Sequence, residues 1–198
     1  YPFIHGKAIQ AAGHYSFVSC SDEAVENGRV QLEEYPIVDY ILGLEKEDPV
    51  NRAYYKTFSS PMQRIITAYC QSEGNILVSG SYPGSDMNTS QGNREFTQKV
   101  LKYGYQSSLR NSLSGQINGL GRTISIPRLP NENRYAVTAP DCIVPVAPAF
   151  SVFTYSPDNQ SAGIAYKGNY RTFVMGFPFE SIESDKDRAM VMAAILNF

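Results

Sequence analysis

Residues 75–87 read NILVSGSYPGSDM: a short apolar run, a burst of Gly, Ser and Pro, then an acid. A run of this length bounded by turn residues reads as a buried strand ending at a tight turn. In open α/β sheets ligands bind beyond the carboxyl ends of the strands. The question is therefore whether this turn carries a nucleophile or only closes a strand. Just upstream, Ser60-Pro61 opens the clearest helix in the chain, with Ser60 as N-cap and Pro61 at the first helical position. Its buried stripe is Met62, Ile65, Ile66, Tyr69 and Cys70, and Gly74 ends it. Earlier still, IVDYIL at 37–42 is a nearly continuous apolar run closed by Gly43, the pattern of a strand covered on both faces of a parallel sheet. Strand, helix and strand at this spacing form a βαβ unit with a right-handed crossover.

The rest of the chain extends this pattern. Phe3, Ile4, Ala8, Ile9 and Ala12 make a helical stripe ended by Gly13, and HYSFVSC at 14–20 reads as a strand. Ser21, Glu23 and Asn27-Gly28 mark a short capped helix and its stop. Residues 46–56 are charged and irregular, hence a loop, and a polar helix is expected over 91–103. From 106 to 171 the texture changes to short β-like runs broken by Gly, Pro and Asn: INGLG, RTISIP, SVFTY, AGIAYKG and NYRTFVMGF. An amphipathic helix over 185–198 closes the chain, with Met190, Val191, Ala194, Ile195 and Phe198 inward. The expected fold is a single α/β domain over 1–198. It would be a three-layer, flavodoxin-like, mostly parallel sheet with flanking helices and a β-rich antiparallel insertion in the second half.

Bulk properties bound the partners. A chain of 198 residues with 42% apolar content is large enough to bury a sheet between helix layers. Charged residues are 18%, below the usual roughly 25%, and the net charge is −2 with Lys and Arg scattered. No basic stripe is present to neutralise phosphates, so nucleic acid is not an expected partner. No apolar run approaches the ~20 residues that span a bilayer. The opening YPFIHGKAIQ lacks an initiator Met or signal peptide and reads as a piece of a longer chain. Three cysteines, Cys20, Cys70 and Cys142, show no CxxC pairing, which argues against a disulfide framework or a structural zinc site; no metal or cofactor is expected.

Several ordered stretches carry a family resemblance. LEEYPIVDYILGLEKED, KTFSSPMQRIITAYCQSEGNILVSGSYPGSDM, the early SCSDEAVENG, and the tail from APDCIVPVAPAFSVFTYS through VMGFPFESI are similar to a class I glutamine amidotransferase-like domain. This is the kind found at the C-terminus of secreted bacterial xanthan lyase-like proteins. The resemblance implies a first strand upstream of Tyr1 and a secreted, periplasmic or cell-surface location. Its partners would be other domains of the parent chain and, as a further expectation, polysaccharide. Active members place a nucleophilic Cys on the turn after the strand matching ILVSG, and a His and Glu in a late FHPE-like stretch. Here Gly80 falls at the Cys position, and GFPFE keeps Glu180 but has Pro178 or Phe179 in place of His. The resemblance therefore implies a catalytically degenerate accessory or interaction domain.

Residue chemistry leaves other candidates. Ser81 needs a base within hydrogen-bond reach to act as a nucleophile. Only His5 and His14 exist, both near the N-terminus, so capping at a strand end is the favoured role for Ser81. Cys70 reads as core packing, Cys142 lacks an acid–base partner nearby, and Cys20 lacks a cation to lower its pKa. Glu45, Asp86 and Glu180 each follow a strand and are expected at one rim. There they would act as a carboxylate-based hydrolase or lyase toward a glycan, or bind a cation, or merely accept backbone N–H bonds. Tyr15, Tyr54, Tyr55, Tyr82, Tyr103, Tyr105, Tyr155, Tyr166 and Tyr170 near strand ends suit sugar stacking and buried edges equally.

Overall fold

The computed structural model describes residues 1–48, 50, 55–109 and 114–198. Residues 49, 51–54 and 110–113 lie outside the described residues, and with them Tyr54 and part of the expected 46–56 loop. Helix α1 (Pro2–Ala12) and the short α2 (Asp22–Glu26) precede strand β1 (Ile37–Gly43). Helix α3 (Ser60–Gln71) leads into strand β2 (Asn75–Gly80). The α3 cap is Ser59, one residue before the expected Ser60: its Oγ accepts from the Met62 N–H at 3.1 Å. Helix α4 (Gln91–Phe96) runs into a wider turn at Thr97–Leu101. Then come β3 (Tyr103–Ser108), β4 (Gln116–Gly119), β5 (Arg122–Ser125), β6 (Asp141–Pro145), β7 (Phe150–Tyr155), β8 (Ser161–Lys167) and β9 (Arg171–Met175). Helix α5 (Asp185–Leu196) closes the chain.

Seven strands form one curled sheet in the order β1-β2-β9-β8-β7-β4-β5, and β3 pairs with β6 separately. The expected flavodoxin-like, mostly parallel three-layer sheet is corrected here. Only β1–β2 and β2–β9 are parallel; β9–β8, β8–β7, β7–β4 and β4–β5 are antiparallel. Apart from β3 and β6, the strands of the second half thus continue the same sheet and are not an insertion beside it. The reason lies in the connections. Two residues join β4 to β5 (Leu120 at φ 53°, Gly121 at φ 75°), and three join β8 to β9. A parallel neighbour needs a crossover of a dozen or more residues, so linkers this short force antiparallel pairing.

HYSFVSC at 14–20 is not a strand. These residues pair with nothing in either sheet and are exposed, and the Phe17 ring folds back over Gly6 of α1. Period-2 alternation produces a strand only when a neighbour takes its backbone hydrogen bonds.

Strand alternation divides the core. Leu77, Phe173 and Met175 face Ala8 of α1 and Val191, Met192 and Ile195 of α5. Ile76, Val78 and Val174 face Met62, Ile66, Tyr69 and Cys70 of α3. On α5, Arg188 and Met192 join Val191 and Ile195 in the interior, whereas Met190, Ala194 and Phe198 are only partly buried. Among the described residues no helix is long and apolar enough to cross a membrane.

Candidate functional site

The parallel strands β1, β2 and β9 end side by side, and the turns after them hold the residues singled out from the sequence. Gly80 comes first. A side chain there would place its Cβ 2.5 Å from the Leu42 Cβ and 3.3 Å from the Gly43 carbonyl oxygen. Leu42 fills the seat, so glycine is required by close packing across the β1–β2 pair. Ser81 is fully buried. Its N–H donates to the Gly43 carbonyl at 2.8 Å, and its own carbonyl accepts from the Asp141 N–H at 2.9 Å. Its Oγ has no partner.

Asp86 and Glu180 do not share a site. Asp86 is buried and anchors the segment after β1. Its Oδ1 accepts from the Glu47 N–H at 2.9 Å, and its Oδ2 accepts from the N–H and the Oγ1 hydroxyl of Thr57, each at 2.9 Å. Lys56 adds a bond to the Asp86 carbonyl at 3.1 Å and an ion pair with Glu47 at 2.9 Å. Glu45, half-buried, lies in the field of Asp22, Asp86 and Glu23. Burial first, then these negative charges, push its carboxyl up to about 7. Glu45 and Asp86 are therefore electrostatic neighbours, while Glu180 belongs to a separate group.

The sequence singled out Glu180 but not its meeting with His5, Asp39 and Tyr135. Glu180 is 1% exposed, on the 3-10 turn Phe179–Ser181 after β9. Its Oε2 lies 3.2 Å from His5 Nε2, and its Oε1 accepts from the Tyr135 hydroxyl at 2.7 Å. His5 Nδ1 lies 2.7 Å from Asp39 Oδ2, and the ring packs on Phe179 with centroids 4.7 Å apart. Burial alone would lower the pKa of this imidazole, but the Asp39 and Glu180 carboxylates outweigh it and raise it to about 9. His5 is thus an imidazolium at neutral pH, with both N–H groups committed to carboxylates. It has no lone pair to offer Ser81 as a base. Two signals pointed to this cluster: one Asp inside the apolar run IVDYIL, and one His on the apolar face of α1. A charge at a core position has to find a partner.

A second overlooked carboxylate, Asp141 at the start of β6, ties down the turn after β2. Its Oδ2 accepts from the N–H groups of Gly84 (2.8 Å) and Ser85 (2.6 Å) and from the Ser85 hydroxyl (3.0 Å). Its Oδ1 accepts from the Ser108 hydroxyl at 2.7 Å. Burial raises its pKa to about 6, against these hydrogen bonds. The glycine- and serine-rich turn is therefore bound to a buried acid.

All three cysteines are free; Cys20 is exposed, Cys70 and Cys142 are buried, and burial pushes the Cys70 thiol up to about 12. Among the tyrosines, Tyr103 and Tyr155 are buried and donate to carbonyls, of Pro83 at 2.8 Å and of Asp141 and Gly176 at 3.0 Å. Tyr15 and Tyr55 are exposed, Tyr166 and Tyr170 meet edge to face at 5.1 Å, and Lys46 lies over the Tyr82 ring. Among the described residues, no group of three or more His, Cys, Asp or Glu is arranged to hold a metal ion.

No family model matches the chain, and no curated protein matches it. Among solved structures, the chain is similar to one titled "mmIFT52 N-terminal domain". The likeness covers 91% of this chain and 84% of that one, with a TM-score of 0.55 and 13% sequence identity. At that identity it bears on the fold alone.

Proposed function

We propose that this chain is a catalytically degenerate, amidotransferase-like accessory domain of a secreted, polysaccharide-associated protein, docking other domains of its parent chain and binding polysaccharide. The observation that carries the reading is the state of the two positions that chemistry would need. At Gly80 the Leu42 side chain occupies the space a nucleophile would take. At Glu180 the carboxylate is closed between His5 and Tyr135, where it supports folding and reaches no solvent. The secreted location and the polysaccharide partner rest on the sequence resemblance.

One observation favours a second reading, a carboxylate-based hydrolase or lyase acting on a glycan. Glu45 is a half-buried acid with a pKa near 7 beside Asp86, a protonation range suited to a general acid. Two assays separate the readings. Ammonia release from glutamine should equal the buffer blank, and the chain should be retarded in gels cast with an acidic bacterial polysaccharide without shortening it. Ammonia release that disappears in Ser81→Ala or Cys20→Ser overturns the degenerate reading. Polysaccharide cleavage that disappears in Glu45→Gln selects the second reading.

A further inference from the structure

Asp39 and Glu180 come from β1 and from the turn after β9, and they are separated by the width of one imidazole ring. Two carboxylates this close, one buried and one half-buried, need a cation between them. The chain supplies His5 from α1, yet His5 does not use all that the site offers. An imidazolium has two N–H donors, and both are spent. Three further oxygens remain buried without a partner: Asp39 Oδ1, Ser79 Oγ and Ser81 Oγ. The β1–β2 register pairs Asp39 with Leu77 and Ile41 with Ser79. Successive side chains alternate across a strand, so Asp39 and Ser79 lie on the same sheet face, the one α1 covers. Ser81 continues that strand, and its N–H bonds the Gly43 carbonyl. The Glu180 carboxylate stands over Gly43, with Oε1 3.3 Å from where a Cβ would be.

The first turn of the element that fills the site is lightly held. On α1 only His5, Gly6 and Ala8 are buried, no side chain caps its N-terminus, and no acid lies in its first turn. Phe3 and Tyr1 remain exposed. Ala8, Ile9 and Ala12 pack the rest of α1 on the core, and His5 is the main polar tether of its first turn.

We propose that Asp39, Glu180, Ser79 and Ser81 form a binding seat for a guanidinium group, and that α1 occupies this seat with His5 as a built-in competitor. A guanidinium carries five N–H donors in a plane, which engages two carboxylates and leaves donors for the hydroxyls. The seat becomes open to a ligand when the first turn of α1 lifts away. This inference is independent of the accessory-domain reading.

The test uses the whole chain with His5→Ala, and His5→Gln as a second variant that keeps a polar side chain on α1. Methylguanidinium at low millimolar concentration is the probe, and the thermal unfolding midpoint is the readout. At about ten times its dissociation constant the probe should raise the midpoint of either variant by about 3 °C. It should leave the wild type unchanged. Tetramethylammonium, a cation without donors, should raise neither variant, and Asp39→Asn added to His5→Ala should abolish the response. N-acetylarginine amide then separates the two sources of the group. Tighter binding than methylguanidinium assigns an arginine of a partner segment, and weaker binding assigns a free small guanidine. Equal shifts in wild type and variants, equal shifts with tetramethylammonium, or no shift in both variants overturn the proposal.

Discussion

Replacing Gly80 by alanine puts a methyl group where Leu42 already stands. The new Cβ would lie 2.5 Å from the Leu42 Cβ, itself fixed to the β1 backbone, and 3.3 Å from the Gly43 carbonyl oxygen. Non-bonded carbons rest at roughly 3.5–4.0 Å, so about 1 Å of separation has to be found between two paired strands. Leu42 is 5% exposed and has no open space to retreat into. Overpacking of this kind costs about 1–3 kcal/mol. The upper part of that range applies here, because the clash involves a Cβ and a ladder backbone in place of a flexible tip. Urea unfolding followed by circular dichroism measures it. Leu42→Ala alone should cost about 2–5 kcal/mol as a cavity. In the double variant the added methyl occupies part of that cavity, so the two costs should fall short of additivity by about 1 kcal/mol or more. A Gly80→Ala protein within about 0.5 kcal/mol of wild type, or strict additivity in the double variant, would refute the idea that Leu42 closes this seat.

Two further predictions concern protons. His5 titrates near 6.5 when unfolded and at about 9 when seated, so the native state holds the extra proton between those values. Its stabilisation is complete below about pH 6.5 and is lost as pH rises to 9, a decline of about 3 kcal/mol in unfolding free energy. His5→Gln should flatten that decline; an equally steep one in the variant counts against the Asp39–His5–Glu180 bridge. Glu45 should titrate by carboxyl-carbon NMR near 7, and Asp22→Asn should lower that value by removing a facing negative charge. An unchanged Glu45 titration in the variant would place Asp22 outside its field.

The legible part of the fold was the part held by neighbours in sequence. The Ser-Ser-Pro start of α3, its Met62–Ile66–Tyr69 stripe and the apolar runs of β1 and β2 each declare themselves within a dozen residues. Five strands of the second half, β4, β5, β7, β8 and β9, were also visible one by one, whereas β3 and β6 were not. The membership of those five in the main sheet was not visible, because a strand's sequence records its alternation and not which edge accepts it. HYSFVSC shows the same limit from the other side: it has the alternation of a strand and no partner. In the candidate site, Glu180, Asp86, Glu45 and Ser81 were found by their position after strands. His5 was set aside for lying at the wrong end of the chain, 175 residues from the carboxylate it bridges.

By itself the sequence determined the local elements, the glycine at position 80 where the resemblance implies a nucleophile, and the absence of a basic stripe. These follow from side-chain chemistry read over a few residues at a time. The tertiary structure alone decided that β9 joins β2, that the sheet then turns antiparallel, and that Asp39, His5, Glu180 and Tyr135 meet. Each of those contacts joins segments far apart in the chain. Such contacts form because a buried charge or an open strand edge has to find its complement somewhere in the folded molecule, and only the packed structure says where.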